Sequence, residues 1–158
     1  MLPIAVHPLT VRVGLAGAGE GMARRRALLA EAGVEPVSEP PYRLLFVAGL
    51  DRAASSELAT RARAAGALVN VEDVPELCDF HVPAILRRGD LALTVSTNGR
   101  APALSRLLRE WLERRFGSEW QGRMDKVASA RDLWRRDGLK PDEVSRRTRD
   151  LVAREGWL

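Results

Sequence analysis

Cysteine occurs once in the 158 residues, at Cys78. A single cysteine excludes an intramolecular disulfide and any cysteine-rich zinc or iron–sulfur site. Two readings of Cys78 remain, a nucleophile or simple packing beside Leu77 and Phe80, and a lone cysteine among apolar neighbours is more often packing. Histidine occurs twice, as His7 and His81, and aromatics make up 5% of the chain. Of the 25 basic residues only Lys126 and Lys140 are lysines. No apolar run approaches the roughly 20 residues that a membrane span needs. Residues 1–8 lack the basic start and long apolar core of a secretory signal, so a cytoplasmic protein is expected. Internal repeats and low-complexity tracts are also missing.

Apolar residues are 46% of the sequence, enough to fill a core. The length suits one domain, or one domain with a small appendage. The net charge of +4 is carried almost wholly by arginine. A guanidinium grips carboxylate or phosphate with a planar fork. Three partners fit: a phosphate-bearing cofactor, a polycarboxylate small molecule, or nucleic acid. Acids interleaved with the arginines, and few aromatics for stacking, put nucleic acid last.

Residues 11–15 read as a short strand, followed by Ala16-Gly17-Ala18-Gly19-Glu20-Gly21 and a helix over residues 22–32. Gly33 is placed to stop that helix. A strand, a glycine turn and a helix form the context in which a backbone approaches a phosphate at a helix N-terminus. The alternative is a tight turn that binds nothing. Residues 34–41 hold only a stub of strand before the prolines stop it, with Glu39 as a stand-in for a ribose-binding acid. Residues 44–48 and 67–71 are near-continuous apolar runs, as buried parallel strands should be. Between them residues 53–65 form a helix. Alternating β and α implies parallel strands with right-handed crossovers. The last of these strands runs into the acid Asp73, and in open α/β sheets ligands sit at the carboxyl ends of strands.

Beyond residue 73 the pattern changes. Residues 80–86 and 91–97 read as two antiparallel strands joined by Arg87-Arg88-Gly89-Asp90. Leu91, Leu93 and Val95 face one way. Ser96-Thr97-Asn98-Gly99 is a polar turn, and Pro102 opens a helix whose apolar stripe is Leu104, Leu107, Leu108, Trp111 and Leu112. Residues 117–122 read as a break, residues 124–136 as a helix, and residues 141 onward as a last helix. Trp111, Trp120, Trp134 and Trp157 suggest a partner surface, supplied by the first lobe or by a second copy of the chain.

These residues together resemble the precorrin-2 dehydrogenase family, which includes the N-terminal module of siroheme synthase. The resemblance rests on Leu2-Pro3-Ile4; on Gly17-Ala18-Gly19 with Ala23-Arg24-Arg25 and Leu28 to Gly33; on Asn70-Val71-Glu72-Asp73 with Cys78-Asp79-Phe80 and Pro83-Ala84-Ile85; and on Ser96-Thr97-Asn98-Gly99 with residues 102–109. It spans residues 1 to about 116. It implies an NAD-binding Rossmann-like domain over residues 1–75, a dimerisation segment of hairpin plus helix over 76–117, and a helical region over 118–158. It implies a homodimer that oxidises precorrin-2, a polycarboxylate tetrapyrrole, to sirohydrochlorin with NAD, some members also inserting ferrous iron. Asp73 maps onto the family's key aspartate, for proton abstraction or metal handling. Thr97 maps onto a serine that is a phosphorylation site in some members. The resemblance places NAD at Gly17, Ala18, Gly19, Glu20, Gly21 and Asp51. It places the substrate at Arg88, Ser96, Thr97, Asn98 and Gly99. Asp73 and His81 are the candidate iron ligands. The segment between the first helix and Leu44 is shorter than the family's, which keeps a second reading open: a member that binds a tetrapyrrole without NAD, as carrier, chelatase accessory or regulator. A third reading, a basic nucleotide- or RNA-binding module, follows from charge alone.

Overall fold

The computed structural model describes residues 2–7 and 10–158. The chain divides into two compact units, Met1–Val82 and Pro83–Leu158, each with its own fold.

The first unit runs β1 (Val13–Gly17), α1 (Gly19–Glu31), β2 (Leu44–Ala48), α2 (Arg52–Ala64) and β3 (Leu68–Val71), then a 3₁₀ turn over Pro75–Leu77. The strands form a parallel sheet in the order β1-β2-β3, with Val13 opposite Leu44 and Leu44 opposite Leu68. The stub of strand expected between residues 34 and 41 is a single residue. Val37 bridges to Gly14 along the other edge of β1, donating to the Val13 carbonyl at 2.9 Å and accepting from the Leu15 amide at 3.1 Å. The chain therefore steps outward from β1 to Val37, then returns to β2 on the opposite side. That reversal between β1 and β2 creates the crevice where α/β sheets bind ligands.

Alternation along the strands fills both faces. Leu45, Val47, Val69 and Val71 pack on α2, whose Ala59 and Ala62 let the helix come close. Val13, Leu15 and Phe46 pack on Leu29 of α1. Helix α1 begins three residues earlier than expected, at Gly19, with the Met22 amide donating to the Ala18 carbonyl.

The outer edge of β3 is closed by the segment that follows it. The Asp79 amide donates to the Val69 carbonyl at 2.8 Å, and the Asp79 carboxylate accepts from the Val69 amide at 2.8 Å. Cys78 Sγ accepts from the Val71 amide and lies 3.2 Å from the Val71 carbonyl. Asn70 Nδ2 donates to the Phe80 carbonyl at 2.9 Å. Cys78-Asp79-Phe80 thus does for β3 what a neighbouring strand would do, and leaves no bare edge to pair with another chain. Cys78 is a packing residue here.

The second unit holds the hairpin β4 (Ala84–Arg88) and β5 (Leu91–Val95), then α3 (Pro102–Arg115), α4 (Glu119–Arg136) and α5 (Pro141–Arg154). Ala84 faces Val95 and Arg88 faces Leu91, across a two-residue turn with Gly89 at φ 58°. The first strand was expected from residue 80 and begins at Ala84. Pro83 withholds an amide from the ladder, while Phe80 and Val82 are drawn into the first unit's core. His81 is therefore exposed and off the hairpin. The expected break over 117–122 becomes three residues, 116–118, with Trp120 packed on Phe116 at a centroid distance of 4.9 Å as the next helix starts early. Leu91, Leu93 and Val95 do share the more buried face of β5.

The apolar stripe of α3 points outward. Leu104, Leu107, Leu108 and Trp111 are all exposed, Leu107 by 61%. The other side of the helix, carrying Ser105 and Leu112, is the more enclosed one.

Candidate functional site

The carboxyl edge of the first unit's sheet gathers the glycine turn, the end of β2 and the end of β3. Gly17, with φ 144°, lies so close to the Ala48 carbonyl that no β-carbon fits between them. Gly49, with φ 71°, lies as close to the Ala18 carbonyl. The Ala18 amide donates to the Ala48 carbonyl at 3.2 Å. These contacts lock the turn onto the end of β2.

The two helices that start at this edge differ in one respect. Asp51 caps α2, accepting from the Ala54 amide at 2.8 Å. Helix α1 starts after Ala18, which has no side chain to cap with, so the first-turn N–H groups of α1 have no side-chain acceptor. Gly19, at φ 62°, has open space where a β-carbon would stand. An uncapped helix start beside an open glycine is a seat for a phosphate, so the turn fits a dinucleotide's pyrophosphate. Gly17, Ala18, Gly19 and Gly21 all lie at this seat. Asp51 is nearby as a helix cap.

Glu72 reaches across from β3 to the same place. Its carboxylate packs against Gly21 and lies 3.5 Å from an Arg24 nitrogen, and Arg24 is also 3.6 Å from Glu20. Close packing of helix on sheet is expected at the third position of the glycine pattern, which here is Met22; the structure gives that role to the buried Gly21 instead. Arg25, one residue on, stacks over the Phe46 ring at 5.3 Å. Burial pushes its guanidinium below the usual arginine range, and Glu72 and Asp73 pull it back up. Glu72 and Arg25 belong to motifs that carry the resemblance, but neither was expected as a site residue. An acid after β3 and an arginine on α1 that meet only in the fold have no local signature.

Asp73 follows β3 at this edge, exposed and at φ 58°. A non-glycine residue in the left-handed region carries strain that recurs at functional sites. The buried Asn70, two residues before Glu72, keeps one orphan atom, its Oδ1.

In the second unit, the residues expected to hold substrate fall at two ends of the hairpin. Arg88 is at the turn end, donating to the Phe116 carbonyl at 2.9 Å and to the Arg87 carbonyl at 2.9 Å. Ser96, Thr97, Asn98 and Gly99 are at the other end, beginning roughly 17 Å away by strand rise. The Ser96 hydroxyl accepts from the Asn98 amide at 3.3 Å, and Asn98 itself sits at φ 56°. Thr97 Oγ1 accepts from the Ala101 amide at 3.2 Å and lies 3.0 Å from Ser105 Oγ. The residue at the helix boundary, Ala101, has no capping side chain, and its own amide is held by Thr97 from four residues upstream. Among the described residues no three His, Cys, Asp or Glu side chains gather as a metal site. No helix among them is long and apolar enough to cross a membrane.

Known proteins match in the same places. A family model described as "Putative NAD(P)-binding" covers residues 40–84, and one described as sirohaem biosynthesis protein central covers residues 88–115. The siroheme synthase of Methylococcus capsulatus is 41% identical over 105 residues, which are 64% of this chain and 21% of that protein. The siroheme synthase of Pseudomonas aeruginosa PAO1 is 37% identical over 119 residues, 75% of this chain and 25% of that protein. The chain is similar to siroheme synthases in both of these regions. It spans a quarter or less of the length of these siroheme synthases. The fold of the family is confirmed by SirC, precorrin-2 dehydrogenase, with a TM-score of 0.72 at 17% identity over 96% of this chain and 89% of that one. The NAD(P)-binding match runs from the end of the outer stub through β2, α2 and β3, and so includes both Asp51 and Asp73.

Proposed function

We propose that this chain is the dehydrogenase module of siroheme biosynthesis, oxidising precorrin-2 to sirohydrochlorin with a nicotinamide dinucleotide. The observation that carries this reading is the uncapped start of α1 beside the open Gly19, at the crevice between β1 and β2. The N–H groups of Gly19, Glu20 and Gly21 would hold the pyrophosphate. When bound, the dinucleotide supplies a hydride acceptor.

The chain's own contribution is a base and an orienting frame. Oxidation of a carbon–carbon single bond to a double bond removes a hydride from one carbon and a proton from its neighbour. Asp73 takes the proton at a carboxylate oxygen. Asp73 has a left-handed backbone between the end of β3 and the turn at Pro75, and it is exposed. Arg24 and Glu72 pair beside the turn, and Arg25 on Phe46 adds a partly desolvated cation at the edge where a polycarboxylate would enter.

The exposed stripe of α3 belongs to the same proposal. Leu104, Leu107, Leu108 and Trp111 form an apolar surface that a second copy of the chain would cover, giving a homodimer. The binding of the tetrapyrrole by the loop of Ser96, Thr97, Asn98 and Gly99, and by Arg88, stays part of the proposal. Insertion of ferrous iron as a second substrate, through Asp73 and His81, has no gathered ligand set in its favour among the described residues.

One observation favours the reading without a dinucleotide. The Glu72 carboxylate already stands against Gly21, close to where a pyrophosphate would bring negative charge. Calorimetric titration with NAD separates the two. Saturable binding at one site per chain supports the dehydrogenase, and no heat up to millimolar NAD assigns the chain to tetrapyrrole binding alone.

A further inference from the structure

We infer that Arg52 and Glu76 are positioning residues, an ion pair that ties the Asp73 loop to the start of α2 and so sets where the base stands. The inference rests on the dehydrogenase reading above, in which Asp73 takes the proton.

The loop from Val71 to Cys78 is closed on itself. The Leu77 amide donates to the Val74 carbonyl at 3.0 Å, and the Cys78 amide donates to the Pro75 carbonyl at 3.0 Å. Cys78 Sγ lies 3.2 Å from the Val71 carbonyl and 3.4 Å from the Val74 carbonyl. Such a loop moves as one piece, and its place is set by what ties it to its neighbours. Arg63 of α2 holds the trailing end, donating to the Leu77 carbonyl at 2.8 Å. The part that carries Asp73 is tied by two acids, one to each of the helices that start at this edge. Glu72 lies 3.5 Å from an Arg24 nitrogen on α1. Glu76 accepts from Arg52, the first residue of α2. Asp73 stands between these two acids, and among the described residues its own carboxylate has no hydrogen-bond or ion-pair partner. An opposite charge stabilises a carboxylate against protonation, so the unpaired acid of the three is the one suited to take a proton.

The Arg52–Glu76 pair serves neither the helix nor the stability of the fold. A cation in the first turn of a helix opposes the helix dipole, and α2 already has its cap in Asp51. The two side chains are 67% and 53% exposed, and exposed ion pairs contribute little to stability. The pair is nevertheless well made. The Glu76 backbone amide and the Arg52 guanidinium together hold the Glu76 carboxyl below the usual range. What the pair fixes is a distance, from the start of α2 to the loop that carries the base. Reaction rates are sensitive to such distances, since a displacement of about 1 Å at a reacting group costs on the order of a hundredfold.

The test is anaerobic turnover of precorrin-2 with NAD by the whole chain, for Arg52→Gln, Glu76→Gln and the swapped pair Arg52→Glu with Glu76→Arg. Each single variant is expected to lose about tenfold in kcat. The KM for NAD should stay within about twofold, and the melting temperature within about two degrees of wild type. The swapped pair is expected to recover kcat to within about threefold of wild type, because it restores the tie with the charges exchanged. An unchanged kcat in both single variants overturns the inference. A loss in Arg52→Gln that Glu76→Gln does not share, or a folded swapped pair that stays slow, also overturns it, since either result has Arg52 meeting a ligand directly. A wild-type chain without turnover overturns the dehydrogenase reading beneath the inference, an outcome distinct from variants that match an active wild type.

Discussion

Gly17 and Ala48 face each other across the β1–β2 crevice with no room for a side chain between the Gly17 α-carbon and the Ala48 carbonyl. Gly49 stands in the same relation to Ala18. The glycines of this turn thus have separate roles. Gly17 and Gly49 allow two backbones to touch, and Gly19 leaves a surface open. Gly17→Ala and Gly49→Ala are expected to destabilise the chain by more than about 2 kcal/mol, because each puts a β-carbon into backbone at a positive φ. Gly19→Ala meets no atom and is expected to cost about 1 kcal/mol, for its left-handed backbone alone. Denaturant melts of the three variants check the order.

Asp73 separates chemistry from stability. Replacing a left-handed aspartate with glycine relieves about 1 kcal/mol of strain, and the extra freedom of glycine in the unfolded chain takes back a similar amount. Asp73→Gly and Asp73→Ala are both expected to lose turnover of precorrin-2. Asp73→Gly should also keep its melting temperature within about two degrees of wild type. Retained turnover in either variant removes Asp73 from the role of base.

The closed edge of β3 gives a prediction about folding alone. The Val69 amide is fully buried and its partner is the Asp79 carboxylate, which also receives Arg63 Nε at 3.0 Å. Asp79→Ala leaves that amide without an acceptor, at an expected cost of about 1–3 kcal/mol. Thermal unfolding of Asp79→Ala against wild type measures it, and an unchanged midpoint contradicts the account of this edge.

Much of this fold was legible because the strands of the first unit are short apolar runs between glycine stops, and their period left little choice. The second strand was readable as a stub because Pro36, Pro40 and Pro41 flank it. The glycine turn and Asp73 were visible because both sit at strand ends. Other features depended on tertiary partners. His81 looked like part of a strand until Phe80 and Val82 were seen to be claimed by the first unit's core. Trp120 looked like part of a break until it was seen to stack on Phe116. Glu72 and Arg25 lie on different elements, and only the fold brings them to one edge. The bond from the Ala101 amide to Thr97, four residues upstream, is likewise a matter of loop geometry.

The α3 stripe predicts an oligomeric state. Leu107 is the most exposed residue of the stripe and sits near its middle. Leu107→Glu places a charge in a surface that a second copy would cover, and is expected to shift the chain from dimer to monomer in sedimentation velocity with no loss of melting temperature in the monomer. A wild-type chain that sediments as a monomer at all concentrations contradicts the proposed homodimer.

The central claim is that this chain carries out the oxidation itself. Its most direct test is anaerobic incubation of the purified chain with precorrin-2 and NAD, following NADH and sirohydrochlorin by absorbance. The account predicts that both rise together in equal amounts, at a rate proportional to the protein and absent with Asp73→Ala. Precorrin-2 that stays unoxidised at saturating dinucleotide, with protein shown to be folded, would contradict it.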